Sequence, residues 1–317
     1  MADTSHTAVL GAGTIGASWT ALFLASGRWV TVFDPDPGAE DVVRAYVDQA
    51  WETMSQLGLT ERGNPDRLTF ASSAAAAVEG AGFVQENVPE RLPIKHATFA
   101  EIEPALAADA IVASSASGLT LGQMQGGWSN PGQFILGHPF NPPHLIPLVE
   151  VMGNDRTNPG VVPRAEAFYK DIGKVTIRVN KEVPGHVANR LQAAVWREAI
   201  HLVLSGVASV GDVDKAMSAG PGLRWAVMGP TTLFSLGAGA GGLPAFCDHF
   251  TDTFNGWWDD LGTPRLTPEV SATLAAGLAE ATGEASVADL AAERDRKIVR
   301  LQQALNGPID PPSSEKG

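Results

Sequence analysis

A doubly wound α/β sheet followed by an all-helical domain is the fold class this sequence predicts. From Thr7 to Val179 short apolar runs alternate with stretches of helical periodicity, the pattern of parallel strands covered by helices on both faces. The first of these units carries glycines at a fixed spacing between strand and helix. After Asn180-Lys181-Glu182-Val183-Pro184-Gly185 the strand signals nearly vanish. The expected organisation is an α/β domain over 1–183 and a helical domain over 184–306. A Pro-, Ser- and charge-rich tail over 307–317 is expected to be flexible.

Thr7 to Leu10 reads as the first strand, and Gly11-Ala12-Gly13-Thr14-Ile15-Gly16 follows at once. Ala17 to Ala25 continues as a helix that closes at Gly27, and Trp29 to Phe33 is a second strand ending at Asp34. Each part has a mechanical job in a Rossmann dinucleotide site. Gly11 permits the tight turn, Gly13 lets a pyrophosphate approach the backbone, and Gly16 lets the helix pack on the strand. The helix start at Thr14 and Ile15 offers unpaired N–H groups and a partial positive charge to the phosphates. Asp34 lies eighteen positions after Gly16, where a carboxylate accepts hydrogen bonds from a ribose diol. Pro35 follows it and no Arg adjoins it, so NAD rather than NADP is the expected cofactor.

The turn Pro35-Asp36-Pro37-Gly38 precedes a helix from about Glu40 to Leu57, on which Val42, Val43, Tyr46, Val47, Ala50, Trp51 and Met54 recur at helical spacing. Leu68 to Phe70 is a short strand, Ala74 to Val78 a helix, Gly82 to Gln85 a strand, Ile94 to Leu106 a helix and Ala110 to Ala113 a strand. Phe134 to Leu136 and Ile146 to Val151 are further strands. Helix Gly160 to Ile172 and strand Lys174 to Val179 complete the first half. The second half reads as helices over 187–204, 210–219, 231–236, 243–261, 268–279 and 287–305.

Composition narrows the function. Hydrophobic residues make up 44% and charged residues 18%, as in ordinary globular proteins, and the formal net charge is -13. That charge argues against nucleic acid or an anionic membrane surface as partner. Cys247 is the single cysteine, which excludes an intrachain disulfide and a Cys-based metal site; no metal is expected. No run reaches the roughly 18 apolar residues of a membrane span. No basic segment leads into an apolar one at the start, and a cytoplasmic protein is expected.

Four further stretches sharpen the reading. Ser114-Ser115-Ala116-Ser117-Gly118-Leu119 follows one strand, and Gly137-His138-Pro139-Phe140-Asn141-Pro142 follows another. Glu150, in Leu148-Val149-Glu150-Val151, comes twelve residues after His138, and Val183-Pro184-Gly185-His186-Val187-Ala188-Asn189-Arg190-Leu191 opens the helical half. Hydride loss from a secondary alcohol needs a base for the hydroxyl proton, and His suits that near neutral pH. A carboxylate on the far ring nitrogen fixes the tautomer and stabilises the imidazolium.

Together with the glycine turn, these stretches resemble the L-3-hydroxyacyl-CoA dehydrogenase superfamily from about residue 7 to about residue 240. Gln85-Glu86-Asn87-Val88-Pro89-Glu90 and Gly222-Leu223-Arg224-Trp225 resemble a branch containing L-gulonate 3-dehydrogenase (lambda-crystallin) and L-carnitine dehydrogenase, whose members act on free small hydroxy acids. The resemblance implies His138 as base with Glu150 orienting it, Ser117 and Asn189 bonding the reacting oxygen, and Asn141 in the active site. It implies Glu90 and Lys95 as cofactor contacts on the nicotinamide side. Gly118 departs from the acyl-CoA enzymes, which often carry Ser there. Arg224 is a candidate clamp for a substrate carboxylate, with an ion pair between domains or subunits as the alternative. Trp225, like Trp196, Trp257 and Trp258, belongs to a pocket or to the core. His6, His96, His144, His186, His201 and His249 read as surface or core residues, with His144 nearest the proposed site.

The expected activity is therefore NAD-dependent oxidation of a small free L-3-hydroxy acid, gulonate-, carnitine- or 3-hydroxybutyrate-like. L-3-Hydroxyacyl-CoA oxidation is the alternative, and a non-catalytic, crystallin-like dinucleotide-binding protein is an alternative of another class. Between Pro35 and Phe70 seven acidic residues face three basic ones, Arg44, Arg62 and Arg67. The acyl-CoA enzymes resembled here hold CoA phosphates with a lysine-rich insertion in that region, and an acidic segment repels them. The helical half contains more amphipathic helix than it needs to cover itself, so a homodimer is expected.

Overall fold

Alternate residues of each central strand enter opposite cores, and that pattern builds the first half of the molecule. The computed structural model describes residues 4–306; the tail expected to be flexible lies outside them. Its sheet has eight strands: β1 (His6–Leu10), β2 (Trp29–Phe33), β3 (Leu68–Phe70), β4 (Phe83–Glu86), β5 (Ile111–Ser114), β6 (Phe134–Pro139), β7 (Leu148–Met152) and β8 (Val175–Arg178). They lie in the order β3-β2-β1-β4-β5-β6-β7-β8. Helices α1 (Thr14–Ala25), α2 (Ala39–Gln56), α3 (Ala74–Val78), α4 (Leu92–Ile102), α5 (Leu121–Gln125) and α6 (Val161–Asp171) cover it.

Val9, Val32, Phe83, Ile111 and Ile135 point into one core, with α1, α2 and α6. Ala8, Leu10, Val84, Val112 and Leu136 point into the other, with α3, α4 and α5. Both faces are apolar, which is why these strands read as continuous hydrophobic runs. Helix α1 is buried all round from Gly16 to Ala25. Its large side chains, Trp19 and Phe23 among them, each contribute about 1.5–3 kcal/mol by leaving water. The strand order reverses between β1 and β4, so their carboxyl ends frame the crevice where ligands of such sheets bind.

Two strands, β7 and the β8 that runs parallel to it, run against the expected direction. β7 is antiparallel to β6, whereas every other pairing is parallel. Only residues 140–147 join β6 to β7, fewer than the dozen or so a parallel crossover requires.

The chain divides into two compact units, residues up to Ala188 together with Glu293–Asn306, and Asn189–Ala292. In sequence the boundary stood at 183, and the helical half ran unbroken to 306. The last helix, α13 (Val287–Asn306), begins in the second unit and ends in the first. There Val299 is buried and Gln302 Nε2 donates to the Leu145 carbonyl.

The second unit is helical throughout: α7 (Ala188–Leu204), α8 (Val210–Ala219), α9 (Pro221–Val227), α10 (Pro230–Leu236), α11 (Gly242–Asp260) and α12 (Pro268–Thr282). Ser209 and Thr267 cap α8 and α12 by accepting the amides of Asp212 and Val270. Gly277 lets α12 approach Val210 of α8, where a Cβ would meet the valine side chain at 2.4 Å. Phe234 of α10 stacks on Phe246 of α11 at 5.1 Å between centroids. Helix α9 has no counterpart among the expected helices; Pro221 starts it at the position where a missing N–H costs nothing. Among the described residues no helix is long and apolar enough to cross a membrane.

Candidate active site

The glycine turn after β1 shows its three jobs separately. Gly11 has φ 84°, and a Cβ there would lie 2.8 Å from the Asn87 backbone. A Cβ on Gly16 would lie 1.9 Å from the Gly11 carbonyl oxygen, so α1 packs onto the turn only with glycine present. Over Gly13 nothing lies within 4 Å. No side chain caps α1, and its first helical bond is Ala17 N to Gly13 O, which leaves the amides at Thr14 and Ile15 for an anion. Asp34 stands at the end of β2 and accepts Ala12 N at 2.7 Å and Asp36 N at 2.9 Å. An open glycine, an uncapped helix start and a carboxylate fixed beside them are the donor set a dinucleotide's pyrophosphate and ribose require.

Beside this cradle a pocket is lined by Ile15, Asn87, Glu90, Lys95, Ser115 and Ser117. Glu90 accepts Ser117 N at 2.6 Å, Ser117 Oγ at 3.0 Å and Gly118 N at 2.8 Å. Burial works against the Glu90 anion, but these bonds outweigh it and hold the carboxyl below its ordinary pKa. The Ser117 hydroxyl is thus bonded to Glu90 in this structure. Lys95 is buried, with Nζ 2.7 Å and 2.9 Å from the two Glu86 oxygens and 3.1 Å from Val88 O. Its ammonium is committed to Glu86, so it fixes the turn at residues 87–90 while its side chain walls the pocket.

Sequence reasoning missed the polar relay behind this wall. Tyr169 donates to Gln85 Oε1 at 2.7 Å, and Gln85 Nε2 donates to Ser115 Oγ at 2.9 Å and to Gly137 O at 3.1 Å. Ser115 in turn donates to Asn87 Oδ1 at 2.6 Å. Burial raises the Tyr169 phenol far above its ordinary pKa, so it stays a donor. Gln85 and Asn87 stood in a quoted motif; Tyr169 gave no signal beyond helical spacing.

His138 and Glu150 form a buried polar pair. They are direct partners in the β6–β7 register, and His138 Nδ1 lies 2.8 Å from Glu150 Oε2. Glu150 Oε1 accepts Val187 N and Ala188 N, each at 2.9 Å. Burial alone would raise the Glu150 carboxyl; the bond from His138 and the two amides outweigh it and hold the pKa below its ordinary value. A carboxylate only accepts, so Nδ1 carries the proton and Nε2 keeps its lone pair.

Asn141 is exposed at the start of the 140–147 loop, ahead of a cis bond to Pro142. Lys174 Nζ holds this loop through Pro143 O and Ile146 O. His144, within this loop, is 6% exposed, with Nδ1 2.9 Å from Ser18 Oγ, and burial pushes its pKa down to about 4. In the second unit Asn189 is the second residue of α7. Arg224 and Trp225 are neighbours on α9 and are exposed; no ion pair among the described residues holds Arg224.

A dinucleotide cradle with a buried His–Glu pair at the ends of the same sheet defines the class: an NAD-dependent dehydrogenase. The model of the 3-hydroxyacyl-CoA dehydrogenase NAD-binding domain matches residues 6–183, and that of the 3-hydroxyacyl-CoA dehydrogenase C-terminal domain matches residues 185–266. The chain is 46% identical over 297 residues to L-carnitine dehydrogenase of Streptomyces coelicolor, covering 94% of this chain and 93% of that one. It is 40% identical over 298 residues to L-carnitine dehydrogenase of Pseudomonas putida, again covering 94% and 93%. Among solved structures it resembles 5-formyl-3-hydroxy-2-methylpyridine 4-carboxylic acid 5-dehydrogenase, described as an NAD+-dependent dismutase, with TM-score 0.83, 31% identity and coverage of 97% and 100%. The chain belongs to the 3-hydroxyacyl-CoA dehydrogenase family.

Proposed function

We propose that this enzyme oxidises the 3-hydroxyl of a small free L-3-hydroxy acid, most closely L-carnitine, with His138 as general base. The observation that carries the chemistry is the buried 2.8 Å bond from His138 to Glu150, which leaves Nε2 as the proton acceptor. Gly11, Gly13, Gly16, Thr14 and Ile15 would hold the pyrophosphate of NAD, Asp34 its ribose, and Glu90 and Lys95 the walls of the nicotinamide side. NAD, when bound, supplies the hydride acceptor. Ser117 and Asn189 would bond the reacting oxygen, with Asn141, Arg224 and Trp225 as substrate contacts.

Support for carnitine rests on the relatives that carry that name at 40–46% identity over nearly the full chain. Support for a free acid over a CoA ester comes from the acidic segment after β2. All three of its basic residues have partners: Arg44 pairs with Glu40 at 2.7 Å, Arg62 donates to Asp171 O at 2.9 Å, and Arg67 donates to Gly27 O. The reading includes a homodimer and a cytoplasmic setting. NADH formation with L-carnitine, L-gulonate, L-3-hydroxybutyrate and its CoA ester tests it, with His138→Asn as control. Turnover of the CoA ester alone would remove the free-acid reading. Undiminished turnover in folded His138→Asn would remove His138 as base, since general-base catalysis is typically worth about 10²–10⁴-fold.

A further inference from the structure

His186 is the one non-glycine residue with positive φ among the described residues, at 48°. That conformation is unfavourable for any side chain with a Cβ. The ring is buried, 2% exposed, and its centroid lies 5.1 Å from that of His138 at an interplanar angle of 57°. Nε2 lies 3.1 Å from the Ala116 carbonyl oxygen, which can only accept, so Nε2 carries the proton. Nδ1 is then left with a buried lone pair that meets no donor among the described residues. Neither the strain nor the orphaned nitrogen helps the fold, and such outliers gather where function requires them.

The segment around His186 explains what the arrangement holds together. The amides of Val187 and Ala188, directly after it, are the two that Glu150 accepts. Ala116, on the other side, sits between Ser115 and Ser117 in the wall of the cofactor pocket. One short stretch of chain therefore touches the pocket wall with a side chain and the His138–Glu150 pair with its backbone. We infer that His186 is a positioning residue: by donating Nε2–H to Ala116 it fixes the cofactor-pocket wall against the general base. The inference rests on the reading of His138 as base.

Two variants test it. His186→Phe keeps a flat ring beside His138 and removes the donor; His186→Gln removes the ring and keeps an N–H at similar reach. In His186→Phe the KM for NAD should rise about tenfold, the loss of roughly one net hydrogen bond. The primary deuterium isotope effect on kcat, with substrate labelled at C3, should grow because hydride transfer slows. His186→Gln should return both values to within about threefold of wild type, about half of the tenfold loss in free energy. A folded His186→Phe with unchanged KM for NAD and unchanged isotope effect overturns the inference, even if its Tm falls. Equal impairment of both variants also overturns it, since packing alone would then explain the loss. If His186→Phe does not fold, His186→Gln decides by the same two readouts: values near wild type support the donor, and a loss comparable to that expected for Phe rejects it. His138→Asn run alongside separates the failures: turnover surviving there sinks the reading of the site, whereas an inactive His138→Asn with an unaffected His186→Phe sinks only this inference.

Discussion

His138 and Glu150 are opposed partners on antiparallel β6 and β7, and the Glu150 carboxylate divides its two oxygens between the histidine and the amides of Val187 and Ala188. Glu150→Gln disturbs both halves of this arrangement. If the amide oxygen stays under the two backbone N–H groups, its NH2 faces His138 Nδ1 and selects the tautomer that bears its proton on Nε2. That tautomer cannot take a proton from substrate, so kcat should fall about 10²–10⁴-fold while NAD binding persists. Turnover within a few-fold of wild type would remove Glu150 from the orienting role.

The same carboxylate makes stability depend on pH. Its folded pKa lies below the ordinary 4.5, so its stabilisation is complete above that value and is lost as pH falls through the lower, folded one. Wild-type Tm should drop on acidification below about pH 4.5, and Glu150→Gln should show a shallower drop over the same window. Parallel Tm–pH curves would assign the acid sensitivity to other carboxylates.

Asp34 should set cofactor choice. A carboxylate held by Ala12 N and Asp36 N at the end of β2 repels a 2′-phosphate and accepts from a 2′-hydroxyl. The kcat/KM ratio should strongly favour NAD over NADP, and Asp34→Ala should narrow it by raising KM for NAD. Equal efficiency with both cofactors in the wild-type enzyme would refute the assignment.

The glycine turn, Asp34 and the His138–Glu150 pair were legible in the sequence because each depends on local spacing next to a strand end. The direction of β7 was not, since an apolar run has the same period in either direction; only the short 140–147 connection fixes it. Helical periodicity gave α13 but not the core it joins, because Val299 says that a face is buried without saying against what. Lys95 entered through resemblance as a cofactor contact, and its bond to Glu86 depends on β4 and α4 meeting nine residues apart. His186 gave no signal: its φ, its tautomer and its orphaned nitrogen exist only once β5, β6 and the 183–188 segment are assembled.

The second unit should be covered by a second copy of the chain. Ile200 is the only buried side chain among its described residues, while Leu191, Leu223, Leu236, Trp257 and Trp258 are exposed. A unit of that size with so little core leaves apolar faces that two-fold pairing would bury. Light scattering at micromolar concentration should give twice the chain mass, and a monomer there would count against the dimer.

Arg224 offers a test of substrate class. The proposed substrates carry a carboxylate, and Arg224 stands exposed on α9 with no ion pair among the described residues. A guanidinium suits bidentate pairing with a carboxylate. Arg224→Met keeps much of the length and removes the charge and the donors. If the clamp binds ground and transition states alike, KM for the acid should rise with kcat little changed. A rise of about tenfold or more would match the loss of a charge-assisted pair. Tm should stay put, since no ion pair among the described residues is broken. If Tm falls instead and KM for the acid is unchanged, Arg224 serves a contact between subunits and the carboxylate is held elsewhere. Measuring both on the one variant separates the two outcomes, and an unchanged KM in a stably folded protein removes Arg224 from the site.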